Sequence, residues 1–111
     1  MNVLQLPFPP STLSGHNNGS WRGKTTTVKE YREMAREAAV ELGYRPPAKG
    51  DIPIRIDFYP PDNRGDRVNF ANRMKPFFDG IADALSINDS RFLPSYHFHE
   101  PIKPGKVVVY L

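Results

Sequence analysis

Cysteine is absent from this 111-residue chain, which excludes disulfides and any zinc site built on thiolates and fits a reducing, cytoplasmic compartment. Long apolar runs are absent as well. The opening MNVLQLPFPPS has no basic stretch and no hydrophobic segment of spanning length, so neither a signal peptide nor a membrane partner is expected. The eight glycines nowhere form the P-loop that cradles nucleotide phosphates, and no serine occupies a nucleophile elbow, so no nucleotide cofactor and no serine-hydrolase chemistry are expected. There is no internal repeat and no low-complexity tract.

What is present is ordinary in amount and uneven in placement. Apolar residues make up 39% and charged residues 24% of a chain long enough for one modest core, so residues 1–111 are expected to form a single domain. A net charge of +3 permits a polyanionic partner without requiring one. Residues 1–50 carry seven Lys/Arg against four Glu, whereas residues 51–111 carry eight Lys/Arg against eight Asp/Glu. The first half is the candidate positive surface, and the second holds an acidic cluster.

Turn residues and periodicity divide the chain. Val3 to Leu6 reads as a strand ended by Pro7, Pro9 and Pro10. Residues 11–26 read as a Ser/Gly/Asn-rich loop, long for a connection in a small domain. The Thr27-x-x-Glu30 capping box and the stop at Gly43 predict a helix from about Thr27 to Leu42, with Tyr31, Met34, Ala35, Ala38 and Leu42 facing the core. Lys29, Arg32 and Arg36 share another face of it. Ile52, Ile54, Ile56 and Phe58 alternate with Pro53, Arg55 and Asp57, giving a half-buried strand near an edge at its Pro53 end. A second helix ends near Ser86, carries Phe70, Met74, Phe77, Ile81 and Leu85 inward, and is kinked or restarted at Pro76. Strands around Tyr96–His99 and Lys106–Leu111 complete a β-α-β-α-β-β order. The expected fold is α+β: one mixed sheet of about four strands with two helices packed on it.

The segment 66–92, DRVNFANRMKPFFDGIADALSINDSRF, sets Asp66, Asp79, Asp83 and Asp89 around Lys75. Lys75, Asp79 and Asp83 fall at i, i+4 and i+8, one stripe of a helix. For Asp79 and Asp83 alone, an exposed face with a surface ion pair is the ordinary reading. Asp66 and Asp89 flank the helix, where carboxylates distant in sequence can converge on a hard cation. His97 and His99 share a strand face, but with no third ligand nearby they read as exposed or structural residues.

Residues 66–92 resemble the active-site segment of the RusA family of Holliday-junction resolvases. The form in question reads Asp-x-Asp-Asn, a lysine six residues on, Asp-Gly-x-x-Asp-Ala-Leu, and a closing Asp-Asp-Ser-Arg-Phe. This chain offers Asp66, Asn69, Lys75, Asp79-Gly80, Asp83-Ala84-Leu85 and Asp89-Ser90-Arg91-Phe92. The opening LPFPPSTLSG, Trp21, Lys24 and Lys29-Glu30-Tyr31-Arg32 are similar to the family's N-terminal half. Two positions depart: Val68 stands for the second aspartate and Asn88 for the first of the closing pair.

The resemblance implies a homodimer that resolves four-way DNA junctions by paired nicks, in the cytoplasm of a bacterial host or from a prophage. It implies Mg²⁺ (Mn²⁺ as substitute) on Asp66 and Asp89, Lys75 beside the scissile phosphate, and catalytic roles for Asp66, Lys75 and Asp89. Asn69, Asp79, Asp83 and Asn88 are secondary candidates, Asn69 reading equally well as a helix N-cap. Lys29, Arg32, Arg36, Arg22, Lys24 and Arg73 are candidates for the DNA backbone, against a solvated face whose cations pair with Glu33 and Glu37. Trp21 would stack on an exposed base or anchor packing. The alternatives are a RusA-like protein that binds branched DNA but cuts weakly or not at all, because Val68 and Asn88 remove charge, and a small RNA-binding or regulatory module.

Overall fold

The first strand, β1 (Val3–Pro7), alternates exposed and buried residues, with Leu4 and Leu6 turned inward. The computed structural model describes residues 2–13 and 21–111, and the side chains of residues 2–13 and 26–111. After a 3-10 turn at Ser11–Leu13 come helix α1 (Trp21–Leu42), strand β2 (Ile52–Tyr59), helices α2 (Arg67–Asn72) and α3 (Lys75–Leu85), a 3-10 turn at Asp89–Arg91, and strands β3 (Phe92–Phe98) and β4 (Lys106–Tyr110). The four strands form one sheet in the order β1-β4-β2-β3. β4 runs antiparallel to both β1 and β2, while β2 and β3 are parallel. A parallel pair needs a crossover, which α2 and α3 supply. The α+β fold with a mixed sheet and two helical segments packed on it is the one the sequence predicts.

One sheet face meets the helices. Leu4, Leu6, Ile54, Ile56, Phe58, Val107 and Val109 join Ala35 and Ala39 of α1 and Phe70, Met74, Phe77 and Ile81 in one buried cluster. Every inward residue expected of the second helix is there, Leu85 at its margin. Pro76 lies in the first turn of α3, where its missing N–H leaves no bond unmade, so the helix restarts there rather than kinking. Pro53 lies at the end of β2 that β3 alone pairs, so the expected edge position holds.

Four expectations are corrected. Helix α1 begins at Trp21, six residues before the Thr27 capping box, which therefore lies inside the helix. Its inward stripe includes Ala39, fully enclosed, while Met34 is 37% exposed. β3 starts at Phe92 rather than Tyr96, running through Pro94, which an outer strand tolerates on its unpaired side. The N-cap before α2 is Asp66, and Asn69 sits inside that helix. Of the loop expected over 11–26, residues 11–13 form a 3-10 turn and 21–26 begin α1, while 14–20, His16 included, lie outside the described residues, as do the side chains of Trp21, Arg22 and Lys24. Among the described residues, no helix is long and apolar enough to cross a membrane.

Candidate functional site

Helix α3 places Lys75, Asp79 and Asp83 on one stripe, and the chain's exit from that helix determines what they meet. Ser86 takes the left-handed conformation (φ 56°, ψ 44°) and ends the helix. Ile87 N–H donates to the Ala82 carbonyl, turning the chain back. Asn88 then caps the next turn: its Oδ1 accepts from Ser90 N–H at 2.9 Å. Asp89, first residue of that turn, is thereby aimed at Lys75, fourteen residues earlier.

The Lys75 ammonium lies between two carboxylates. It pairs with Asp79 Oδ1 at 3.0 Å and with Asp89 Oδ2. The Lys75 side chain is 65% exposed, and those of Asp79 and Asp89 are 24% and 29% exposed, so the group is open to a solvent-borne ligand. Asp89 and then Asp79 hold the Lys75 ammonium above its ordinary range, and Lys75 holds the Asp89 carboxyl below its own. Next along the stripe, Asp83 accepts from Arg32 of α1, Nε at 2.7 Å and Nη2 at 2.9 Å, a bidentate pair that raises the arginine and lowers the aspartate. Arg32, Asp79, Asp83, Asn88 and Asp89 line a surface cleft of about 200 Å³.

Two carboxylates from different elements converge on one ammonium, which occupies the point between them; Asp79 and Asp89 are the pair that could hold a hard cation if Lys75 moved aside. Asp66 is not drawn into this group. It is exposed at the start of α2, its backbone carbonyl accepts from Asn69 N–H, and no ion pair or hydrogen bond joins its side chain to Lys75, Asp79 or Asp89. Among the described residues, no cluster of three or more His, Asp or Glu is spaced to hold a metal. Val68, in the first turn of α2, is 80% exposed.

The basic candidates separate. Lys29 is exposed on α1. Arg36 pairs with Glu33 along the helix (Nε to Oε2, 2.9 Å), the ordinary fate of a surface cation, and Arg32 is committed to Asp83. Arg73 lies at the end of α2, on a different cleft, with its Nη1 donating to the Pro9 carbonyl at 3.2 Å.

One cluster escaped the sequence reading. Asp57 was expected on the solvated side of β2, yet its side chain is only 4% exposed. Arg55 Nε donates to it at 2.8 Å, and His99 Nε2 lies 3.3 Å from its other oxygen while the imidazole stacks on Tyr59. The same-face spacing of Arg55 and Asp57 was the available signal; His99, 42 residues on, gave none. Burial pushes the Asp57 carboxyl up, but the hydrogen-bonded Arg55 guanidinium, with a smaller contribution from the nearby His99 imidazole, outweighs it and holds the group below its ordinary value. A carboxyl lowered on folding contributes stability above its unfolded value and loses it as pH falls through the lower folded one. Asp57→Asn is therefore expected to cost about 1–3 kcal/mol near neutral pH and to shrink that gap towards about pH 3. Urea unfolding of both proteins across that range is the check, and equal stabilities at neutral pH would refute it.

The chain is 35% identical over 114 aligned positions to a protein of Xylella fastidiosa (strain Temecula1) called "Uncharacterized protein", a match spanning 98% of this chain and 74% of that one. No protein-family model matches the chain.

Proposed function

The chain belongs to one family with the Xylella fastidiosa protein, whose name assigns no activity, and from its own motif and site we propose a RusA-like, Mg²⁺-dependent endodeoxyribonuclease that nicks four-way DNA junctions. The observation that carries the reading is the Lys75 ammonium held between Asp79 and Asp89 on an exposed surface, within the segment 66–92 that resembles the resolvase motif. Phosphodiester hydrolysis needs carboxylates that can hold a cation and a positive charge near the phosphate, and this group offers both.

Asp89 with Asp79 would hold the ion, and Asp66, on the loop before α2, is the third carboxylate of the motif. When bound, the ion would supply a lowered pKa for attacking water and charge neutralisation at the phosphate. Lys75, released from the carboxylates it now bridges, places its charge against the phosphate oxygens. Lys29 offers the backbone a free cation, while Arg32 and Arg36 would exchange carboxylate for phosphate. Assembly as a homodimer, one nick per subunit, and a cytoplasmic location belong to the same proposal.

The test is nicking of a synthetic four-way junction, against linear duplex, with and without Mg²⁺ or Mn²⁺. Metal-dependent paired nicks in the junction alone, lost in Asp89→Asn and in Asp79→Asn, the two carboxylates that would hold the ion, are expected. Cutting that survives both substitutions would overturn the site assignment.

A second reading has its own support. Val68 presents a side chain that cannot ligate, and the Asn88 oxygen is spent on the Ser90 N–H. A junction binder with weak cutting follows if those two positions carried needed charge. Val68→Asp is expected to fold as the parent does, within about 0.5 kcal/mol, because the position is exposed and an acid suits a first helical turn. If the second reading holds, that variant gains nicking at unchanged junction affinity.

A further inference from the structure

Arg73 is a half-buried guanidinium with no carboxylate partner among the described residues, and it borders a cleft of about 390 Å³; Arg91 also lacks a carboxylate but gives its Nε and Nη2 to the Gly50 and Pro47 carbonyls. No unseen counter-ion is left in the sequence, because residues 14–25 contain no Asp or Glu. The Arg73 Nη1 has the Pro9 carbonyl, its Nε is enclosed without any acceptor, and its guanidinium lies 5.2 Å from the Phe70 ring centre and 6.0 Å from that of Phe8. The rings and one carbonyl fix the group in place but leave its charge unneutralised. Burial alone acts on it, pulling it below the ordinary guanidinium value. A desolvated cation is unfavourable until an anion joins it.

The cleft sets a cation against apolar walls. Phe8, Pro9, Pro10, Pro61 and Pro104 supply rigid walls, and Arg64 and Arg73 against Asp62 give the lining a net charge of +1 (two cations less one anion). Asp62, the one acid present, is neutralised in place. It accepts from the Arg64 backbone N–H at 2.9 Å and from its guanidinium at 2.9 and 3.1 Å. The volume falls within the range of roughly 300–1,000 Å³ usual for small-ligand pockets. A planar guanidinium matches phosphate through two parallel hydrogen bonds.

We propose that this cleft binds a nucleotide, with Arg73 taking its phosphate and the proline–phenylalanine walls its base. The proposal rests on the nucleic-acid reading above only for the source of that phosphate, a free nucleotide or the 5′ end of a cut strand.

Titration calorimetry with 5′-dAMP, deoxyadenosine and single-stranded oligonucleotides bearing 5′-phosphate or 5′-hydroxyl tests it. In the parent, dAMP is expected to bind about 10- to 100-fold more tightly than deoxyadenosine. Arg73→Gln should erase that difference and Arg73→Lys restore part of it. Preference for the 5′-phosphorylated strand over dAMP identifies a strand end, and the reverse identifies a free nucleotide; either supports the pocket. Equal binding of dAMP and deoxyadenosine, no binding of either, or an unaltered preference in Arg73→Gln overturns it. Should Arg73→Gln fail to fold, amide shifts of the parent with dAMP decide: movement at Phe8, Gly65 and Arg73 is expected, and movement confined to Lys75 and Asp89 refutes the cleft. These readouts involve no junction and no cutting, so an inert nicking assay leaves them standing, and their failure leaves the nicking assay intact.

Discussion

Gly80→Ala is expected to destabilise the protein by about 3 kcal/mol, lowering its melting temperature by about 12–24 °C. A Cβ at this position would lie 2.1 Å from the Arg32 carbonyl oxygen and 3.0 Å from the Ala35 Cβ. The helices α1 and α3 touch backbone to backbone there, and a carbonyl in the middle of α1 cannot swing aside as the end of a long side chain can. Alanine's better helix propensity returns up to about 1 kcal/mol, which does not offset separating two helices whose facing residues form much of the core. The separation has a second consequence: Arg32, whose carbonyl is the obstacle, also carries the pair to Asp83. The variant should lose that ion pair while Lys75, Asp79 and Asp89, all outside α1, keep theirs. Thermal unfolding by circular dichroism measures the first effect, and a shift within about 2 °C of the parent would show that the helices absorb the methyl.

The glycine illustrates which parts of the structure were legible in the sequence. Phe70, Met74, Phe77 and Ile81 announce a buried helix face through spacing alone, and the alternation in β2 announces a strand. Those features depend on local periodicity. The start of α1 does not. Gly23 and the β-branched run Thr25–Thr27 are weak helix formers, and the helix extends over them to Trp21 regardless. Pro94 suggested a later start for β3, because whether proline interrupts a strand depends on which side is paired, and that is a property of the sheet.

The same division runs through the site. Lys75 and Asp79 were placed together by helical spacing. Asp89 reaches Lys75 only because Ser86 adopts a left-handed turn and Asn88 caps the 3-10 turn after it, and no periodicity encodes either. Asp83 meets Arg32 across 51 residues, and Arg73 meets Pro9 across 64. These pairings follow from how the helices and β1 pack, so the basic residues divide by tertiary partner: Arg32 and Arg36 to carboxylates, Arg73 to a proline-rich cleft.

Under the proposed nuclease function, Lys75→Gln is expected to lower junction nicking about 10²- to 10³-fold while leaving the fold intact. The side chain is 65% exposed and belongs to no packed layer, so stability should move by no more than about 1 kcal/mol. Its removal acts on charge. Asp79 and Asp89 would face each other without the ammonium between them, and like charges held close favour protonation of one; the Asp89 carboxyl, now held low by Lys75, should rise. The pH profile of nicking should then lose its acid side at higher pH than in the parent, which simple loss of a DNA contact would not produce. Lys75→Arg keeps the charge but offers a planar fork in place of a compact point, and should recover part of the rate. In the double variant Lys75→Gln, Asp89→Asn, losses that multiply would mean two independent groups. A loss no larger than that of the worse single variant is the expected outcome, because in the proposed reaction the lysine and the carboxylate it bridges would act on one phosphate as a unit. Unaltered cutting by Lys75→Gln would remove the lysine from the chemistry.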